Sequence, residues 1–183
     1  PYTGVAGYPP LQMSAHAVFC SHGHFDHNAV DCVTLLPEKN SPFTVREVET
    51  FHDDRRGALR GPNTIRIFTV GGVSVAHLGD LGHQLTAEQM CAIGTVDAAL
   101  VPVGGVYTLD VAGAKAVCEA LKPKCVVPMH YHHAPYGLPE LADGEDFLKL
   151  WPAGEVHRLS GPAFEVTGGE QGVLVPEFIE GAT

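Results

Sequence analysis

The sequence predicts a single α+β domain spanning residues 1–183, and three observations predict it. Two β-rich runs flank a two-glycine turn at Gly71-Gly72, which is a hairpin signature. Further along, apolar strand-like segments alternate with helices that carry their own start and stop signals. The chain has 183 residues, 45% of them hydrophobic and 17% charged, which suffices for one buried core and is not the composition of a disordered chain.

Taken in order, the segment to Gln12 is rich in Pro, Gly and Tyr and reads as loop, and Ala15 to Cys20 is short and apolar, a buried strand. It enters Ser21-His22-Gly23-His24-Phe25-Asp26-His27, a polar loop expected to open a short helix through Leu36. Pro42 to Thr50 reads as a strand and Phe51 to Asn63 as a charged loop. Thr64 to Val70 and Val73 to Leu78 form the hairpin, and Gly79-Asp80 ends it. Thr86 followed by Gln89 is a capping-box pattern for a helix running to Ile93 and stopped by Gly94. Ala98 to Val103 is a strand ending at Gly104-Gly105. Asp110 to Leu121 is an amphipathic helix with Pro123 just past its end. Lys124 to Pro128 is a buried strand, Pro139 to Leu150 a helix, and Glu155 to Val175 a run of short strands.

Charge and composition narrow the function. The net charge of −10 disfavours a nucleic-acid backbone as partner, and Arg55, Arg56 and Arg60 read as a solvated loop. No apolar run approaches the roughly 20 residues of a membrane span, and no signal peptide opens the chain. Five cysteines without a CxxC pair suit a reducing cytoplasm. A small-molecule substrate is the expected partner.

The anomaly is eleven histidines and their placement. His22 and His24, two apart, project to one side of an extended backbone, and Asp26 and His27 follow where the chain turns. Four potential ligands in six residues, with further His and Asp residues at later strand ends, point to metal chemistry.

The motif resembles the HxHxDH signature of the metallo-β-lactamase superfamily. Phe51-His52-Asp53, His77-Leu78-Gly79-Asp80 and Pro128-Met129-His130-Tyr131 resemble its later motifs in order. His77 to His83 and Pro102 to Asp110 are similar to its cytosolic lactonase-like branch, which includes ascorbate-phosphate lactonases. The resemblance implies a four-layer αββα sandwich, two sheets face to face with helices outside. It implies two divalent metal ions, zinc first, with manganese or iron as alternatives. His22, His24 and His52 would hold one ion, Asp26, His27 and His130 the other, and Asp80 both. Ions about 3.5–4 Å apart would share a hydroxide that attacks an ester or lactone. The alternatives are a phosphodiesterase acting on a small phosphorylated metabolite and an iron-dependent redox enzyme.

His77 competes with His52 for ligation, but strand parity sets it opposite Asp80 and favours a core or supporting role. Asp26 is expected to act as ligand and proton handler, and His83 to contact substrate or orient a ligand. Tyr107, Thr108 and Asp110 follow the Gly104-Gly105 break, where Thr108 or Asp110 is first of all a helix cap. His132 and His133 could assist proton transfer or simply occupy a loop, and His16 and His157 carry no expected role. Members of this branch begin with a hairpin and a further strand ahead of the position of Pro1. The chain is therefore expected to be a fragment without those N-terminal strands, or to replace them with another segment.

Overall fold

The computed structural model of the chain describes residues 1–5, 7–37 and 40–177. The strands are β1 (Met13–Ala15), β2 (Val33–Leu35), β3 (Thr44–Phe51), β4 (Pro62–Val70), β5 (Val73–His77), β6 (Ala98–Pro102), β7 (Cys125–Met129), β8 (Val156–Arg158) and β9 (Gly172–Val175). The α-helices are α1 (Ala87–Ile93), α2 (Val111–Leu121) and α3 (Gly144–Leu148). Seven strands form one sheet in the order β3-β4-β5-β6-β7-β9-β8, while β1 and β2 pair in parallel as a separate two-stranded sheet.

The hairpin forms as expected. Gly71 and Gly72 both take positive φ, 58° and 86°, so the turn follows the right-handed twist of the β4 and β5 strands. From β5 onward the sheet turns parallel through β6, β7 and β9, each crossover long enough to hold helix or loop. Alternation splits the side chains between two faces. Ile65, Ile67, Ala76, Ala99, Val101, Val126 and Val173 meet α1, α2 and α3 in the main core. Ala98, Cys125, Val127 and Leu174 point the other way, under Phe164 and Val166. On that second face Phe68 of β4 stacks edge-on with Phe19 and Phe43.

The helix ends follow local chemistry. Thr86 and Gln89 make the reciprocal capping box of α1, and Gly94 closes it at φ 69°. Asp110 accepts from the Gly113 N–H at the start of α2.

Three expectations fail where long-range bonds claim the backbone. Ala15 to Cys20 is not a strand beyond Ala15, because the Cys20 carbonyl accepts from the Arg66 guanidinium and the Ser21 carbonyl from the Thr64 N–H. The helix expected through Leu36 is reduced to a 3-10 turn at Val30–Cys32, and Val33–Leu35 pairs with β1 instead. The helix expected over 139–150 shrinks to Gly144–Leu148, since Ala142 bonds through its N–H to Gly104 and through its carbonyl to His132.

No helix among the described residues is long and apolar enough to cross a membrane. All five cysteines are free, and burial pushes the thiol of Cys118 up to about 12 and that of Cys125 up to about 11.

Candidate metal centre

Strand direction collects the site. β3 and β5 each run antiparallel to β4, and β6 and β7 run parallel to β5, so β3, β5 and β7 all end at the same edge of the sheet. His52 directly follows β3, Asp80 lies three residues past β5, and His130 directly follows β7. The loop bearing His22, His24, Asp26 and His27 is moored to that edge by the Thr64 N–H, which donates to the Ser21 carbonyl at 2.9 Å. Within the loop one turn closes when His27 and Asn28 both donate to the His24 carbonyl.

The seven residues form one cluster. Three groups, His22/His24/His52, His22/His27/Asp80 and Asp26/His27/His130, each keep one ligand atom per residue within 4.8 Å of the others. Asp80 sits between them: its Oδ2 is 3.0 Å from Nε2 of His52, 3.3 Å from those of His27 and His130, and 3.8 Å from that of His22. Asp26 lies on the outer side, its Oδ2 3.6 Å from His27 Nε2.

The protonation states suit cation binding. Burial pushes the Asp80 carboxyl toward neutrality, but hydrogen bonds from His130 and His52 overcome it and hold the pKa well below the carboxylate range. Burial lowers the His22 pKa to about 4 against the pull of Asp80, leaving a neutral imidazole. Anionic carboxylate and neutral imidazole are the forms that bind metal. His22 Nδ1 lies 3.0 Å from Ser21 Oγ, while its Nε2 is buried inside the cluster without a hydrogen-bond partner. A lone pair so placed would cost free energy unless a cation meets it, and orienting the far ring nitrogen through a hydroxyl is how ligand histidines are commonly held. The donor set therefore fits divalent ions.

Supporting residues carry as much of the geometry as the candidate ligands. Asn63, 1% exposed, accepts from the Asp80 N–H at 2.9 Å through Oδ1. Its Nδ2 donates to the Leu78 carbonyl at 2.9 Å and to Thr50 Oγ1 at 2.8 Å. Asp53 braces the loop after His52 by accepting four backbone N–H groups, those of Arg55, Gly57, Leu59 and Arg60. Two glycines admit close backbone contacts: a Cβ on Gly82 would lie 2.4 Å from the His52 carbonyl carbon, and one on Gly104 would lie 2.1 Å from the His130 carbonyl oxygen. His130 itself is held at φ 55°, a left-handed conformation unusual for a non-glycine residue.

Other residues singled out in the sequence fall elsewhere. His83 lies outside the three ligand groups: its Nε2 accepts from the Phe51 N–H at 3.1 Å and its Nδ1 lies 2.8 Å from the Gln84 carbonyl. With both nitrogens bonded to main chain, it fastens the strand end that presents His52. His77 is in none of the three ligand groups and accepts from the Gly79 N–H at 3.0 Å, while it lines a cavity beside Asp26 and His27. Asp110 is a helix cap, and Tyr107 bonds Glu140 at 2.8 Å. Backbone bonds fix His132 to Ala142 and His133 to Tyr136. Asn63 carried no signal in the sequence, because an isolated Asn at a strand start acquires its role only from cross-strand neighbours.

Comparison with known proteins agrees with this architecture. The β-lactamase superfamily domain pattern matches residues 1–130. The chain belongs to the metallo-β-lactamase superfamily. Within the superfamily it is 43% identical over 158 residues to a metal-dependent hydrolase of Thermoplasma acidophilum, covering 70% of each chain. It is 27% identical over 172 residues to one of Carboxydothermus hydrogenoformans, covering 75% of this chain and 76% of the relative. Among solved structures, a superfamily protein of Thermotoga maritima whose proposed activity is Zn-dependent hydrolysis superposes with a TM-score of 0.68 at 34% identity, covering 90% of this chain and 83% of that one. The metallo-β-lactamase fold protein YhfI of Bacillus subtilis, at 12% identity and TM-score 0.51, shares the fold.

Proposed function

We propose that this superfamily member, a metal-dependent hydrolase like the relatives it matches, holds two divalent ions and hydrolyses a small ester or lactone. One observation carries the metal reading: Asp80 Oδ2 lies 3.0–3.8 Å from the Nε2 atoms of four histidines, drawn from the His22 to His27 loop, the end of β3 and the end of β7. His22, His24 and His52 would hold one ion, Asp26, His27 and His130 the second, and Asp80 would be shared. An all-His/Asp set without cysteine suits zinc, manganese or iron, with zinc the first choice. When bound, such ions polarise the oxygen of the scissile group and lower the pKa of water near them.

The chain's own residues set the conditions. The ionised Asp80 anchors four imidazoles in one orientation, and Asn63 fixes its backbone, so little reorganisation is left for the reaction. Asp26, at the accessible rim, would take up on Oδ2 the proton released from water. The acidity of the chain, −10 overall, weakly disfavours polyanionic substrates, and a phosphodiester of a small metabolite stays the second reading.

The test begins with binding. Zinc at about 100 times its Kd adds about 2.7 kcal/mol to stability, a rise in Tm of roughly 5–10 °C for a domain of this size, reversed by chelator. Elemental analysis with anomalous scattering counts the ions and locates them. Activity on a panel of lactones and bis-p-nitrophenyl phosphate is expected to favour the lactones and to vanish in His22→Ala/His24→Ala. Absence of any thermal shift with zinc, manganese or iron ends the proposal.

A further inference from the structure

Beside the cluster lies a cavity of about 370 Å³, a size that suits a small organic ligand. Asp26, His27 and His130 line it, together with Val5, Tyr131 and Leu138 among others. Apart from those histidines and the aspartate the lining is aromatic and aliphatic, with His133 the further ionisable imidazole, and none of the described lining residues is Lys or Arg. Tyr131 is held in place by close packing, since a Cβ on Gly144 would lie 2.8 Å from its ring.

A guanidinium does occur nearby, on the opposite side of Asp26 and His27, where Arg66 and His77 line a separate cavity of about 320 Å³. That charge is already committed: Arg66 Nε donates to Glu47 at 2.9 Å and Nη1 to the Cys20 carbonyl at 2.5 Å. On the Tyr131 side, Arg158 lines an adjoining cavity that shares Pro128, Tyr131 and His133, but it is paired with Glu145 at 2.7 Å. A substrate reaching the cluster from the Tyr131 side therefore finds mainly apolar surface for the part remote from its scissile bond, and no Lys or Arg among the described residues lining it. Burying a charged group in such surroundings is costly, whereas burying methylenes is favourable.

We infer that the cavity seats a neutral, apolar acyl group, so that the substrate is an ester or lactone with a short aliphatic or aromatic acyl part rather than one with an anionic tail. This rests on the hydrolase reading above and adds a substrate class to it. Leu138 and Tyr131 would set the specificity.

Two measurements test it on the full chain, one kinetic and one independent of turnover. For p-nitrophenyl esters from acetate to hexanoate, kcat/KM of the zinc-loaded protein is expected to rise about fourfold per added methylene. The ester of monoanionic succinate is expected to fall below butyrate. Leu138→Asp flattens that chain-length slope and Leu138→Met restores it; a slope is a ratio of rates and does not depend on the fraction of protein folded. In parallel, saturation-transfer NMR with the non-hydrolysable hexanamide and acetamide is expected to show binding of the longer amide, abolished in Leu138→Asp. If no ester is hydrolysed but hexanamide binds selectively, the hydrolase reading fails while the apolar site stands. A flat slope in an active enzyme without amide binding overturns the inference. So does hydrolysis of the succinate ester faster than that of the butyrate ester, and Arg66→Gln and Arg158→Gln then show which cation it uses.

Discussion

Replacing Asn63 with leucine removes the amide that holds Asp80 while keeping the branching of the side chain. In the folded chain this side chain accepts from the Asp80 N–H and donates to the Leu78 carbonyl and to Thr50 Oγ1, all at 2.8–2.9 Å. Thr50 keeps a second bond, to the Asn63 carbonyl, so the variant strands two main-chain groups outright. Each buried group left without a partner costs about 1–3 kcal/mol, which sums to roughly 2–6 kcal/mol for the pair. Because Asp80 would then be free to shift among four imidazoles, zinc affinity is expected to drop about 10–100-fold, the usual range when a residue orienting a ligand is lost. Urea unfolding of the metal-free protein, read by fluorescence of Trp151, measures the first quantity, and competition with a chromophoric chelator measures the second. Thr50→Val is the control, expected to cost about 1 kcal/mol with little effect on zinc. An Asn63→Leu protein with the wild-type urea midpoint and zinc affinity would refute the assignment of Asn63 as the support of Asp80.

Three further outcomes follow from the same geometry. Gly104→Ala sets a methyl 2.1 Å from the His130 carbonyl oxygen and is expected to lower both Tm and zinc affinity, whereas Gly154→Ala, with open space around it, leaves both unchanged in a thermal-shift titration. His83→Ala strands the Phe51 N–H and is expected to cost about 1–2 kcal/mol in urea, with the pH dependence of kcat unmoved; a lost acidic or basic limb would return His83 to the chemistry. Asp97 has its pKa lowered by Lys124 at 2.7 Å and by the Ser74 N–H at 2.8 Å. A depressed carboxyl contributes stability above its unfolded pKa of about 3.9 and loses it as pH falls through the folded value. The urea-midpoint gap between wild type and Asp97→Asn should therefore be full at pH 7 and close below about pH 4; a gap constant with pH contradicts the ion pair.

Much of the fold was legible because its signals are local. The Gly71-Gly72 hairpin, the capping box of α1, the Asp110 cap of α2 and the buried β6 and β7 each depend on residues a few positions apart, and all formed. The errors occurred where distant backbone decided the outcome. Ala15 to Cys20 has strand composition, yet its far end is taken by Arg66 and Thr64. Residues 139–143 have helical pattern, yet Ala142 bonds Gly104 and His132. His83, three residues after Asp80, reads in the sequence as a residue that contacts substrate or orients a ligand, and only the folded chain shows the Phe51 N–H and the Gln84 carbonyl beside its nitrogens.

From the sequence alone came the kinds of donor available and the order in which strand ends present them, since ligand type follows from side-chain chemistry and strand parity from a two-residue repeat. Tertiary structure alone decided that β3, β5 and β7 point the same way, so that residues as far apart as His22 and His130 meet around one carboxylate. It also decided that Asn63 and two glycines hold that meeting point, and that no Lys or Arg is among the described residues lining the neighbouring cavity. The reason is physical: a hydrogen bond or a void belongs to a pair of surfaces, and which surfaces face one another is settled only when the whole sheet has closed on its core.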